Sequence, residues 1–302
     1  MQFTAKPTKF ILAIYLLVFS ACNLPVENKM TAVSPITWAT QTQPPPITNQ
    51  AIPTVKPTHT PLPVCNEKTG TIEQSEIADP LLAKPMRYKV YLPPCYYFPA
   101  NASRKYPVIF LLHGQYYLED QWIRIGAIDA ADKLIGDKSL PPFIMVFPFD
   151  YSIKQPNQYQ FEKVFIEKLV PVIDATYKVL PGRDNHAIGG VSRGGAWALH
   201  LGIRNSAVFG AIGGHSPVIF FADHKGLPAT LFSLPAADIP RLWLDIGNSD
   251  PELDLMKQFE QDLTDNQIPH TWNVFPGYHE ERYWSAHVNE YLTWYAQNWP
   301  GR

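Results

Sequence analysis

Charge of a single sign is what this sequence lacks most plainly: 25 Lys and Arg stand against 27 Asp and Glu, a formal net charge of −2 over 302 residues. The signs are interspersed and no basic stripe runs along any segment. That excludes a dedicated nucleic-acid or anionic-membrane surface, because such partners demand concentrated positive charge. Cysteine is scarce too. The three present, Cys22, Cys65 and Cys95, are dispersed and belong to no ligand cluster, so neither a catalytic metal nor another cofactor is expected. The string His279-Glu280-Glu281-Arg282-Tyr283 approaches the H-E-x-x-H zinc pattern, but Tyr283 stands where the second ligand would have to be. Long hydrophobic runs are missing as well: the longest, over 10–19, stops well short of the roughly 20 apolar residues that a membrane-spanning helix needs. No internal repeat is found.

What is present begins with an address. Lys6 and Lys9 precede the apolar run, and small residues and Cys22 follow it, which is the layout of a signal peptide over 1–22. Phe19-Ser20-Ala21-Cys22 resembles the lipobox of bacterial lipoproteins, with Phe19 where Leu is usual. The resemblance implies a lipid on Cys22 and export to the cell envelope, with the rest of the chain on the extracytoplasmic side of a membrane; plain secretion is the alternative. Residues 23–64 are rich in Pro, Thr and Gln, with Pro44-Pro45-Pro46 among them, and poor in large apolar side chains. Such a segment cannot bury enough surface to offset its ordering entropy. It reads as an extended, disordered tether of polyproline character. If Cys22 carries lipid, Cys65 and Cys95 remain, and an oxidising compartment gives them a use as one disulfide. The alternative is two free thiols.

From residue 65 to 302 the pattern alternates between strands and helices, which points to an α/β fold around a largely parallel, twisted sheet flanked by helices. The expected strands are 87–92, 108–112, 143–147, 186–191, 208–212, 242–246 and 271–275, several of them continuous apolar runs suited to burial on both faces. Helical spacing of Phe165, Leu169, Val172 and Ile173 predicts a helix over 161–177, kinked at Pro171. Two amphipathic helices, 252–266 and 283–299, close the domain.

The central signal is Gly190-Val191-Ser192-Arg193-Gly194, placed between an apolar strand and the helix-forming Ala196-Trp197-Ala198-Leu199-His200-Leu201. That context turns a G-x-S-x-G string into a nucleophile elbow. A Ser hydroxyl needs a base to take its proton, and the base needs an orienting acid. Chain order Ser, acid, His is met by Asp250, in the loop after strand 242–246, and by His279, in the loop after strand 271–275. Asp245 competes from inside its strand, and Glu252 and Asp254 compete from a helix start, where acids commonly satisfy the dipole. His287 lies within a helical stretch and reads as packing or surface. His186, His200, His215, His224 and His270 have no positional claim. Backbone donors for a developing oxyanion are expected at Arg193, next to the nucleophile, and at Gln115, in the loop Leu112-His113-Gly114-Gln115. Tyr116, Tyr117, Trp122, Tyr283 and Trp284 flank these loops and are candidate walls of a substrate pocket.

Taken together, residues 106–114, 189–195, 247–250 and 277–279, with Tyr283-Trp284 and His287 behind them, resemble the esterase-D-like family of the α/β-hydrolases. That family includes feruloyl and enterochelin esterases and mycolyl transferases. The resemblance implies a triad of Ser192, Asp250 and His279, an oxyanion site at the Arg193 and Gln115 amides, and hydrolysis of a small-molecule or carbohydrate ester, feruloyl or acetyl esters being examples. An acyltransferase acting on a sugar hydroxyl shares every motif named, and a non-catalytic binding lipoprotein on the same scaffold is the rival from outside enzymology.

Overall fold

The computed structural model describes residues 64–301. The signal peptide, the lipidation site Cys22 and the tether over 23–64, all but its last residue, lie outside the described residues. Among the described residues no helix is long and apolar enough to cross a membrane.

Eight strands make one sheet: β1 Thr71–Ile77, β2 Met86–Leu92, β3 Val108–Leu112, β4 Ile144–Pro148, β5 His186–Val191, β6 Ala211–His215, β7 Arg241–Gly247 and β8 Thr271–Phe275. Their order is β1-β2-β4-β3-β5-β6-β7-β8. β1 and β2 run antiparallel at one edge, and β3 to β8 run parallel to one another. Strand period decides where the side chains go. Val108, Phe110 and Leu112 enter one core with Ile188, while Ile109 and Leu111 enter the core on the opposite face with Ala187 and Val191. Burial on both faces is why these strands read as unbroken apolar runs.

The helices are α1 Gln121–Arg124, α2 Ala127–Gly136, α3 Phe161–Val164, α4 Val170–Thr176, α5 Arg193–Arg204, α6 Gly226–Ser233, α7 Leu253–Asp265 and α8 Glu281–Tyr295. Side chains of α3 to α7 fill the first core; those of α1, α2 and α8 fill the second. The expected kink at Pro171 takes the form of a π turn, Phe165–Leu169, joining α3 to α4. Pro171 has no N–H to give and its ring would strike the carbonyl four residues back; a widened turn relieves both.

Two expectations about strands are corrected. β6 begins three residues later than expected, because the Asn205 carbonyl takes the N–H groups of Val208 and Phe209 in a turn closing α5. The strand then continues through Gly213, Gly214 and His215, which carry no apolar signal. β1 was not expected at all: Thr71–Ile77 is a mostly exposed edge strand without alternation. A disulfide between Cys65, ahead of β1, and Cys95, after β2, joins residues separated by 30 positions in sequence, with Cα atoms 6.0 Å apart.

Closing a loop of that size is worth about 3–4 kcal/mol in the chain-entropy account. The double variant Cys65→Ser/Cys95→Ser is therefore expected to lose about 3–4 kcal/mol of unfolding free energy in urea titration. An unchanged midpoint would mean that pairing with β2 holds this edge unaided.

Candidate active site

Ser192 closes β5 and opens α5 with φ 55° and ψ −120°, a left-handed backbone that a non-glycine residue adopts only under constraint. The constraint is visible. The Ser192 N–H donates to the His215 carbonyl at 3.0 Å, and the Ser192 carbonyl accepts the Ala196 N–H at 3.0 Å. A Cβ on Gly190 would stand 2.2 Å from the Gly194 backbone, and one on Gly194 would stand 2.2 Å from the Leu112 carbonyl oxygen. Both glycines of the pattern are thus forced by close backbone approach, as the G-x-S-x-G turn requires.

The sheet's carboxyl edge brings three distant side chains together. Ser192 Oγ lies 2.7 Å from His279 Nε2, and His279 Nδ1 lies 2.8 Å from Asp250 Oδ2. With Nδ1–H donating to the carboxylate, Nε2 is left to accept the hydroxyl proton. The Asp250 side chain is fully buried, and its second oxygen accepts the Glu252 N–H at 2.9 Å. The loops after β7 and β8 are tied to each other: the Asn248 and Ser249 N–H groups donate to the Phe275 and Gly277 carbonyls, and Asn248 Oδ1 accepts the Gly277 N–H at 3.2 Å. Asp250 and His279 are therefore joined through their loops as well as by their own hydrogen bond.

The loop after β3 is pinned equally firmly. The Gly114 N–H is spent on Gln121 Oε1 at 2.7 Å, while the Gly114 carbonyl accepts His113 Nδ1–H at 2.8 Å and the Tyr117 N–H at 3.2 Å. Carbonyl and following N–H point opposite ways across a planar peptide, so fixing the Gly114 oxygen aims the Gln115 N–H. A Cβ on Gly114 would meet Ser192 Cβ at 3.5 Å, which puts this peptide beside the elbow. The Arg193 N–H, first in α5, belongs to the turn of amides that has no intrahelical acceptor.

Of the five aromatic pocket candidates, three are corrected. Trp122 is core, its Nε1–H donating to the Leu112 carbonyl at 2.9 Å. Tyr283 is buried, with its hydroxyl donating to Asp245. Trp284 is buried and presents its ring edge to His279 at 5.2 Å between centroids, so it backs the imidazole rather than lining a pocket. All three sit on the faces of α1 and α8 that turn toward the sheet, an orientation that adjacency to a loop does not reveal. Tyr116 and Tyr117, by contrast, are exposed and line a cavity of about 170 Å³ that also touches Gln115, Ile153 and Arg193. The rival histidine, His287, stacks on Phe275.

The sequence reading missed Asp150. Its carboxylate, almost fully buried, accepts Arg193 Nη2–H at 3.2 Å and Trp197 Nε1–H at 2.8 Å, and its N–H donates to His113 Nε2 at 2.9 Å. One residue thereby braces both expected oxyanion amides from behind. A signal existed: Asp150 follows an apolar strand as Asp250 does. Gln121 was missed for want of any signal, since only the fold brings it to Gly114. Among the described residues, one trio of side chains, Cys65, Glu67 and Cys95, has its donor atoms close enough to share a metal ion. Its two sulfurs are spent in the disulfide.

Residues 80–295 match the model of the family described as "Putative esterase". The chain belongs to this esterase family, within the α/β-hydrolase superfamily. Over 150 residues it is 31% identical to an endo-1,4-beta-xylanase/feruloyl esterase of Xylanibacter ruminicola, covering 47% of this chain and 21% of that protein. The chain thus spans about a fifth of that curated relative's length. Among solved structures, a ferulic acid esterase superposes with TM-score 0.67 at 22% identity, over 76% of this chain and 98% of the other. The ferulic acid esterase of Anaeromyces mucronatus, in complex with ferulic acid, superposes with TM-score 0.61 at 20% identity, over 76% and 93%. At such identities the two structures speak for the esterase fold.

Two buried histidines in this esterase domain should titrate in opposite directions. Burial pushes the His113 pKa down, so its protonation favours the unfolded chain and stability is lost as pH falls below about 6.5. Burial opposes protonation of His200 as well, but its hydrogen bonds to Asp223 (2.7 Å) and Glu162 (3.1 Å) outweigh it and raise the pKa. Its contribution is complete below about 6.5 and is lost as pH rises through the raised value. Imidazole nitrogen NMR at about pH 6.5 is expected to show His113 predominantly neutral, with the proton on Nδ1, and His200 predominantly cationic. The reverse assignment would contradict both hydrogen-bond patterns.

Proposed function

We propose that the chain is a serine carboxylic-ester hydrolase working through an acyl-enzyme, with Ser192 as nucleophile, His279 as base and then acid, and Asp250 as the orienting carboxylate. The observation that carries this reading is the continuous row from Ser192 Oγ to His279 Nε2 and from His279 Nδ1 to Asp250 Oδ2, at 2.7 and 2.8 Å, beginning at a residue held at φ 55°. Ser192 attacks the ester carbonyl as His279 takes its proton; the oxygen gaining charge is held by the Gln115 and Arg193 amides. His279 then protonates the departing alcohol, and water completes the cycle by the same route in reverse. Asp250 keeps the proton on Nδ1 and stabilises the imidazolium, without itself being protonated.

The substrate class proposed is an aromatic acyl ester of a carbohydrate, feruloyl esters first. Two facts support it. One relative carries feruloyl esterase and one solved structure ferulic acid esterase in its name, and large exposed apolar side chains collect on segments that follow β3, β4, β6 and β8 at the edge of the sheet where the site lies: Tyr116, Leu118, Ile153, Phe221 and Tyr278. The cavity of about 170 Å³ beside Gln115 and Arg193 is of a size to take one substituted ring, since an apolar cavity of about 150 Å³ accepts benzene. The reading includes export and lipid anchoring at Cys22, with 23–64 as a tether, on the strength of the N-terminal pattern alone.

Ser192→Ala is expected to abolish turnover of a short p-nitrophenyl ester while circular dichroism and the thermal midpoint stay near those of the unaltered protein; retained turnover would remove Ser192 from the chemistry. In a panel of methyl ferulate, acetylated xylan and longer acyl esters, methyl ferulate is expected to have the highest kcat/KM. A preference for acetyl groups would assign the exposed aromatics another task.

A further inference from the structure

Beneath the triad lies a second polar cluster for which the proposed chemistry has no use. Asp245, on β7, is completely buried. Its Oδ1 accepts His215 Nδ1–H at 2.6 Å and Trp243 Nε1–H at 2.7 Å; its Oδ2 accepts the hydroxyls of Tyr283 and Tyr291, both at 2.8 Å. Four donors saturate what one carboxylate can accept. On the far side of the imidazole, His215 Nε2 meets the Tyr295 hydroxyl at 3.0 Å, and the ring lies flat against Tyr291 with centroids 3.7 Å apart. No substrate reaches this cluster, so it does not react.

Two of its partners, His215 and Tyr283, are nonetheless the supports of the two reacting groups. His215, held by its ring, is the residue whose carbonyl accepts the Ser192 N–H at 3.0 Å. Tyr283, held by its hydroxyl, is the side chain on which the loop to His279 rests: a Cβ on Gly277 would come within 2.7 Å of its ring. Its neighbour Trp284 sets its ring edge against His279. We propose that Asp245 is a positioning residue that sets the alignment of Ser192 with His279, acting on the elbow through His215 and on the histidine loop through Tyr283. This rests on the reading of Ser192 and His279 as nucleophile and base.

Asp245→Asn places an amide N–H2 among four donors and can unfold the sheet, so the test uses single hydroxyls instead. Tyr283 and Tyr291 donate to the same oxygen over the same distance, but Tyr291 stands two turns further along α8, away from the His279 loop. Tyr283→Phe and Tyr291→Phe are compared by kcat and KM on a p-nitrophenyl ester and by the rate at which a fluorophosphonate labels Ser192, at a temperature where both variants are folded. Tyr283→Phe is expected to lose about 10- to 100-fold in kcat, the scale of a misplaced reacting group, with a parallel loss of labelling rate and KM within about twofold. Tyr291→Phe is expected to lower the thermal midpoint comparably and leave kcat within about twofold. Equal kcat effects in the two variants, or none in Tyr283→Phe, would overturn the inference while a labelled, ester-cleaving wild-type protein keeps the triad reading intact. An inactive Ser192→Ala control secures that reading separately, and an active one ends it.

Discussion

The Gly190–Ser192–Gly194 turn leaves no room for a Cβ on either glycine, because β5 reverses into α5 against the carbonyl edge of β3. Everything at the site answers to that crowding. It holds Ser192 in a left-handed conformation and places the first amides of α5, which have no acceptor in the helix, beside the serine hydroxyl. It also presses the loop after β3 close enough for the Gly114 peptide to stand next to Ser192. A parallel sheet then delivers the remaining groups, since β4, β7 and β8 end at the same edge and release Asp150, Asp250 and His279 there.

Two further carboxylates, Asp150 and Asp245, are buried without touching the proposed reaction path. A buried charge is costly unless its donors are fully supplied, and each of these acids is supplied lavishly. The donors of Asp150 come from the oxyanion side, through Arg193 and, by its own N–H, through His113. Those of Asp245 come from the elbow and histidine sides. Replacing either acid leaves several donors unpaired in a dry interior, which is the expensive direction of change. The domain therefore fixes its site with polar networks below the surface, and the surface loops are left free to carry side chains suited to a substrate.

The fold was legible where one signal dominated. β3 and β5 were read with their observed bounds, and β7 within one residue at each end, because burial on both faces writes an apolar run bounded by turn residues; β8, a partly exposed edge strand, was also read with its observed bounds. β1 was not legible: an edge strand with one wet face and a wet rim has no alternation to detect, and pairing with β2 creates it. β6 was misplaced because its second half is Gly-Gly-His, which packs only because Tyr295 fills the space over Gly189 and Gly213. The same distinction governs the site. Ser192, Asp250 and His279 could be nominated from strand ends and chain order and stand in one hydrogen-bonded row. Trp122, Tyr283 and Trp284 were misjudged because which way a loop-flanking aromatic turns depends on the helix behind it.

That dependence bears on how such a domain can vary. Trp284 backs His279 from inside, whereas Tyr116, Ile153, Phe221 and Tyr278 stand outside with few packing obligations. Substituting an exposed loop residue away from caps and special backbone conformations costs little stability, and loops on a rigid scaffold are where binding specificity is most easily changed. Tyr116, at φ 67°, is the exception among the four, since its conformation ties the identity of the side chain to the shape of the loop that aims the Gln115 amide. On the proposed reading, ester selectivity can therefore shift through Ile153, Phe221 and Tyr278 without disturbing the hydrogen-bonded row, while Tyr116 couples substrate contact to the geometry of the proposed oxyanion site.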